Sequence, residues 1–343
     1  MPYAVLVMEW SLRLTWFRFF RAVAVAAGIL LGISLPMALF MQGPFVSSQE
    51  PPLPTVAVSE ARLEKTVRFL ADDLRPRWYT DTENLERAAE WIADRFGEAR
   101  LHVEIQEFTS KDGYSFRNVI ARREGREPDA AVVIIGAHYD AYGEHPGADD
   151  NASGVAVLVE LTATLQQQPP RRTQIFVAFA PEEPPFFGSE DMGSMHYARK
   201  LRDAGVQIEL MVALDLVGYY SDDPGSQRFP VRGMGWLFPD VGDFVAVVGD
   251  TGAGPWIKTV KEGFAAADAL PMRSFRAPAW IPGVDWSDHR SFRSLGLPGV
   301  LVTDTAIMRN PHYHLATDTA DTLDYSRMAG VVRGLHGVLR VVD

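Results

Sequence analysis

The sequence predicts an α/β protein, a three-layer α/β/α sandwich around a mixed, mostly parallel central sheet, preceded by one N-terminal transmembrane helix. Three observations carry this expectation. Short apolar runs at 131–135 (AVVII) and 175–180 (IFVAFA) read as strands buried on both faces, and 209–216 reads as a third central strand. Segments with helical periodicity alternate with these runs, which is the pattern of a sheet covered by helices. The stretch 22–41 carries no charged side chain, and about 20 such residues suffice to cross a bilayer as a helix.

The elements follow in chain order. Arg13, Arg18 and Arg21 precede the apolar stretch, and 42–54 follows it without Lys or Arg. The positive-inside bias therefore keeps 1–21 as a short basic cytoplasmic segment, makes 22–41 a signal-anchor and exports the rest. A cleaved signal peptide is the alternative. Residues 42–58, which include QEPPLP, read as an extended linker. The remaining 59–343 forms one folded domain. Segment 59–74 has an N-cap in Ser59 and apolar positions at Leu63, Val67 and Leu70, so it reads as an amphipathic helix. Segment 82–100 repeats that pattern around Leu85, Ala88, Ala89, Ile92 and Phe96. Alternation over 101–108 indicates a half-exposed strand, and 118–121 another. Helices are expected at 154–165, 189–204, 256–268 and 326–342, and a strand at 300–303.

Composition narrows the chemistry. A net charge of −11 leaves no basic excess to neutralise phosphates, so nucleic acid is not an expected partner. The absence of cysteine excludes disulfides, thiolate nucleophiles and Cys-type zinc sites. A metal would have to be held by His, Asp and Glu, the ligand types of catalytic zinc sites.

Open α/β sheets bind ligands at the carboxyl ends of their strands, and here those ends carry the unusual residues. GAHYD (136–140) follows the first buried run, and APEE (180–183) closes the second. Asp215 lies inside MVALDLVG (211–218), GADDNASG (147–154) opens a helix, and HYHLATDT (312–319) lies near the C-terminus. Acidic and imidazole groups beside apolar runs are costly to bury unpaired, and coordination to divalent cations removes that cost. His138 and Asp140, two apart on an extended backbone, point to the same side. That suits a metal-bound imidazole whose other nitrogen meets a carboxylate. Adjacent Glu182 and Glu183 can divide the work of metal ligand and general base, and one carboxylate of the Asp149–Asp150 pair can bridge two cations.

In order and approximate spacing, GAHYD, GADDNASG, APEE…GSE, ALDLVG, SDH and HYHLATDT resemble the two-zinc (co-catalytic) aminopeptidase family of metallopeptidases. That family includes secreted bacterial leucyl aminopeptidases, glutamate carboxypeptidase and the glutaminyl cyclases. The resemblance covers roughly 59–343. It implies two Zn2+ ions, with Asp150 bridging them, Glu183 and His314 completing one site, and His138 and Asp215 the other. It further implies that Glu182 is the general base and that Asp140 orients His138. The Asp150–Asn151 peptide bond would be cis. Tyr313 would polarise the substrate carbonyl, and Asp288 would support the site from behind its ligands. The implied activity is removal of N-terminal residues from a peptide with a free N-terminus, by a water held between the zincs.

One departure stands out. Relatives usually carry Gly-Leu after the paired glutamates, whereas this chain has Pro184, Pro185, Phe186 and Phe187. The two phenylalanines are candidates for the substrate pocket. Three other functions share the pattern. A glutaminyl cyclase would use one zinc, and a carboxypeptidase or dipeptidase would need a cation such as Arg273, Arg276 or Arg309 for a substrate carboxylate. A non-catalytic peptidase-like ectodomain would be expected to have lost ligands. His145, His196, His289, His312 and His336 are read as structural, and Asp149 and Asp318 as supports. The expected location is membrane-anchored, with the catalytic domain outside the cytoplasm.

Overall fold

The computed structural model describes residues 16, 35–47, 53–165, 168–229, 234–236 and 238–343. The chain divides into two compact units, Met1–Gln42 and Gly43–Asp343. In the first, residues 35–42 are helical, and most of the expected membrane span at 22–41 lies outside the described residues. Among the described residues, no helix is long and apolar enough to cross a membrane.

The second unit is built on one eight-stranded sheet. In chain order its strands are β1 (His102–Thr109), β2 (Ser115–Arg123), β3 (Val132–His138), β4 (Gln174–Phe179), β5 (Ile208–Leu214), β6 (Val245–Gly249), β7 (Met272–Arg276) and β8 (Val300–Thr303). Their spatial order is β1-β2-β4-β3-β5-β8-β6-β7. The middle block β4-β3-β5-β8 is parallel, and β6 and β7 pair in parallel with each other. The β1–β2, β2–β4 and β6–β8 pairings are antiparallel. The sheet is mixed, as expected, with its parallel part in the centre where both faces are covered.

Period-two alternation sends successive strand residues into two separate cores. Val133 and Ile135 of β3, Phe176 and Ala178 of β4, and Val212 and Leu214 of β5 face one layer. That layer contains α1 (Glu60–Arg68), α2 (Thr82–Glu98), α3 (Gly154–Ala163), α5 (Gly254–Ala266) and α7 (Tyr325–Val342). Ile134, Val177 and Met211 face the other layer, which is formed by α4 (Gly193–Asp203) and α6 (His289–Ser294). At the start of α1, Ser59 Oγ accepts from Arg62 N at 3.2 Å, the expected cap. Buried Glu160 of α3 accepts from Ser59 N and from the Arg62 guanidinium, which pins α1 to α3.

Several expected boundaries move. β3 runs through His138, so that imidazole sits on the strand itself. The helix expected from 189 starts at Gly193, because 189–192 are held in turns, with Ser189 N donating to Phe186 O. Three elements go beyond the sequence expectation: β6, β7 and α6.

Candidate metal centre

The parallel block brings four carboxyl ends side by side, and each delivers a titratable side chain. His138 ends β3, Glu182 and Glu183 follow β4, Asp215 follows β5, and His314 lies in the loop beyond β8. Asp150 comes from a buried, kinked turn, Ala148–Ser153, between β3 and α3, and its own backbone there (φ −106, ψ 87) is not helical. His138 Nε2 lies 3.5 Å from Asp150 Oδ1 and 3.3 Å from Asp215 Oδ1. His314 Nε2 lies 3.0 Å from Asp150 Oδ2 and 3.4 Å from Glu183 Oε2. Two triads result, His138–Asp150–Asp215 and Asp150–Glu183–His314, with Asp150 common to both. Glu182 Oε2 stands 4.0 Å from His138 Nε2 and belongs to neither triad.

Everything here is buried except His314, whose side chain is 22% exposed. Burial pushes Glu182 well above the ordinary carboxylate range and Glu183 up to about 8. Burial alone would lower the two histidines, but the carboxylates outweigh it. Asp215 and Glu182 raise His138, and Asp150 and Glu183 raise His314 to about 10. Burial would likewise raise Asp150, yet both imidazoles hold it below its usual value. Protons thus occupy a site whose geometry suits cations. The donor set fits zinc on two counts. Each triad joins one imidazole nitrogen to carboxylate oxygens, leaving room for a further ligand. Glu183 Oε1 and His314 Nε2 are also buried without a hydrogen bond, as converging metal ligands would be.

Supports surround the triads. The Asp140 carboxylate accepts from Glu182 N at 2.9 Å and Glu183 N at 3.0 Å, so it fixes the turn that presents both glutamates. Its Oδ1 also lies 3.4 Å from His138 Nδ1. Asp318 accepts from the backbone of Asp149 (2.9 Å) and Asp150 (3.2 Å). Asn151 donates to Leu214 O and accepts from Gly154 N and Leu216 N, which joins the Asp150 turn to the end of β5. The Asp150–Asn151 peptide is cis. Asp149 turns away from the triads to accept from Gly218 N and Asn310 Nδ2. Asp288 is fully buried, and burial pushes it up to about 7 within the field of His138 and Asp215.

His314 has a left-handed backbone, φ 55, uncommon for a residue with a side chain. Its ring is sandwiched between Tyr142 (centroids 4.3 Å apart) and Tyr313 (3.9 Å). Burial, reinforced by Asp150 and Glu183, raises the Tyr313 hydroxyl and keeps it protonated. Tyr142 was not among the expected site residues. It sits two residues beyond GAHYD, after Ala141, so an aromatic close behind that motif was its only signal.

The centre opens into an apolar cavity of ≈ 210 Å³, lined in part by Phe187, Phe229, Phe238, Phe275 and Trp286. Phe187 is therefore in the pocket, with the Arg290 guanidinium 5.8 Å from its ring. Phe186 is not, which corrects the expectation for that residue. It is 3% exposed and packs among Tyr79, Tyr114 and Phe116, with centroids 5.1–6.3 Å away. In the tight turn where Phe186 N donates to Glu183 O, neighbouring side chains diverge, one to the core and one to the cavity. Of the candidate carboxylate-holding arginines, Arg273 lines the cavity. Arg309 is buried and donates to Gln227 Oε1 and Phe244 O, and Arg276 lies against Gly254.

Comparison with known proteins places this geometry. The chain is 42% identical over 323 residues to the Escherichia coli (strain K12) protein YfbL, itself uncharacterized, covering 92% of this chain and 97% of that one. A probable zinc metalloprotease of Pyrenophora teres f. teres (strain 0-1) is 29% identical over 195 residues, 49% of this chain, and the match spans only 41% of that longer protein. Solved structures share the fold, and two of them illustrate it. Fimbriiglobus ruber glutaminyl cyclase superposes with a TM-score of 0.67 at 22% identity, covering 86% of this chain and 99% of that one. BSAP, a zinc aminopeptidase from Bacillus subtilis, gives 0.64 at 14% identity, covering 83% and 95%. Residues 118–338, a span that contains all five triad residues and Glu182, match Peptidase family M28, and the chain belongs to that family.

Proposed function

We propose that this chain is a two-zinc aminopeptidase that removes N-terminal residues from peptides. The observation that carries the reading is the pair of complete triads sharing Asp150, with Glu182 beside them and free of ligand duty. His138 and Asp215 would hold one zinc, Glu183 and His314 the other, and Asp150 both. Bound zinc supplies Lewis acidity toward the scissile carbonyl and lowers the pKa of a nearby water.

The remaining steps belong to the chain's own residues. Glu182 takes the proton of the attacking water on its carboxylate and delivers it to the leaving amine. Burial raises its pKa above the ordinary carboxylate value. The Tyr313 hydroxyl, kept protonated beside the acidic cluster, donates to the carbonyl oxygen as charge develops there. The apolar cavity takes the side chain of the N-terminal residue, so large apolar residues are expected to outrank acidic ones.

A panel of aminoacyl-anilides with zinc-loaded protein tests this. Release is expected to be greatest for bulky apolar residues. Glu182→Gln is expected to keep its zinc and lose about 10²- to 10⁴-fold in turnover, the usual worth of a general base. Near-wild-type turnover in that variant would remove Glu182 from the mechanism. A zinc-loaded chain that cyclises N-terminal glutamine and releases no anilide would transfer the reading to the cyclase reaction. Release of C-terminal residues dependent on Arg273 would transfer it to a carboxypeptidase.

The uncharged 22–41 stretch and its basic flank support a further part of the proposal, a membrane anchor with the peptidase unit outside the cytoplasm. Fractionation combined with external protease treatment of intact cells tests it, and a soluble, protected chain would refute it.

A further inference from the structure

Arg77 lies in the turn between α1 and α2, and no motif singles it out. It is among the largest fully buried side chains of the described residues. Its guanidinium gathers backbone carbonyls. Nε donates to Tyr139 O at 2.9 Å, Nη2 to Gly147 O at 2.9 Å, and Nη1 to Pro146 O at 3.0 Å and to Leu70 O. In return, Ala141 N donates to Arg77 O at 3.1 Å. Tyr139, Ala141, Pro146 and Gly147 all belong to the one loop that leaves His138 and arrives at Asp150.

That loop is wrapped closely around the side chain. Gly147 has φ 59, and a Cβ there would come within 2.4 Å of Asp150 O, 2.6 Å of Ala141 Cβ and 3.0 Å of Arg77 Nη2. Among the described residues no carboxylate pairs with the guanidinium directly, yet Asp140, Asp318, Asp150 and Glu183 all stabilise its charge from a distance. Burial lowers its pKa only to about 10, so it remains a cation at neutral pH. A buried cation is costly to desolvate, and an apolar side chain would fill the same space without that cost. The carbonyls it collects and the acid around it account for its presence.

We propose that Arg77 is a positioning residue of the metal centre, fixing the separation of His138 from Asp150 by clamping both ends of the 139–147 loop. The inference rests on the two-zinc reading above. Only a planar fork with five N–H groups can hold these carbonyls at once, and a lysine ammonium cannot reproduce that arrangement.

The test uses the full chain as wild type, Arg77→Lys and Arg77→Ala. Zinc affinity is measured by competition with a chromophoric chelator, melting temperature with and without zinc, and kcat and KM separately. Arg77→Lys is expected to lose about 10- to 100-fold in zinc affinity, as partners that orient metal ligands do. Its kcat falls more than its KM rises, and the melting-temperature gain on adding zinc shrinks. Guanidinium added to Arg77→Ala is expected to restore zinc affinity and turnover, whereas ammonium at equal ionic strength is not. A folded Arg77→Lys with wild-type zinc affinity and kcat overturns the proposal. So does a melting temperature lowered equally with and without zinc at unchanged affinity. Failure of both variants to fold, even with guanidinium, assigns Arg77 to folding alone and also overturns it. A wild-type chain that takes up no zinc overturns the two-zinc reading itself, and this inference with it.

Discussion

At the scale of single residues, the supports around the triads are as specific as the triads. Asp140 accepts from two consecutive amides and faces His138, so one carboxylate orients residues of both halves of the centre. An amide in its place keeps one acceptor oxygen and turns an NH2 toward groups that also donate. Asp140→Asn is expected to weaken zinc binding by about 10- to 100-fold, which a chelator competition will measure. His289 illustrates the other kind of buried residue. It belongs to SDH, yet its Nε2 donates to Val284 O at 2.8 Å and it takes no part in a triad. Burial holds it neutral, with its pKa lowered from 6.5 to about 4. The unfolded chain therefore binds this proton between those two values while the folded chain does not. Stability rises with pH across that window and is lost as pH falls through it, by on the order of 3 kcal/mol. His289→Gln is expected to flatten that part of a pH-dependent unfolding curve relative to wild type.

At the scale of elements, helices were more legible than edge strands. Amphipathic periods located α1 and α2 to within a residue at their starts, because each buries a single stripe, and α7 was found to within a residue although it is buried on nearly all sides from Met328 to Leu339. β7 (MRSFR) has only five positions and no period-two alternation, so it cannot be separated from a loop without its partner. β6 (VAVVG) is as apolar as the recognised strands and carried a usable signal. These two strands help line the cavity, which is why the pocket was less legible than the metal ligands. Packing of α5 against α7 depends on glycines that no periodicity reveals. A Cβ on Gly263 would sit 2.4 Å from Val338 Cα, and one on Gly337 would sit 2.1 Å from Gly263 O. Neither contact can yield by a side-chain rotation. Gly263→Ala is expected to destabilise by about 1–3 kcal/mol, as overpacking does. Its zinc affinity should stay at the wild-type value, since neither helix carries a triad residue. Denaturant titration and chelator competition read the two quantities separately.

At the scale of the whole molecule, the acidic balance of −11 has a local concentration at the sheet's carboxyl end. Without cations, that region holds protons, with Glu183 at about 8 and His314 at about 10. Ligands must shed those protons to bind metal. Zinc uptake at neutral pH is expected to release protons, and zinc affinity to keep rising with pH through neutrality, levelling only near the His314 value. Calorimetry in buffers of different ionisation enthalpy measures the release, and a pH-independent affinity would contradict it. Chelation is expected to lower the melting temperature, because zinc binds the folded chain and not a dispersed set of ligands.

The sequence by itself determined the α/β class, through apolar period and the alternation of strands with helices. The residues that meet in the two triads were legible through the family resemblance that six motifs carry in order. The sequence could not determine that Phe186 enters the core while Phe187 faces the cavity, because that divergence depends on where Tyr79, Tyr114 and Phe116 lie. Nor could it show that Arg77 closes on a loop some seventy residues away, or that Tyr142 and Tyr313 sandwich His314. Those arrangements are contacts between distant segments, and only tertiary packing brings such segments within hydrogen-bond and van der Waals range.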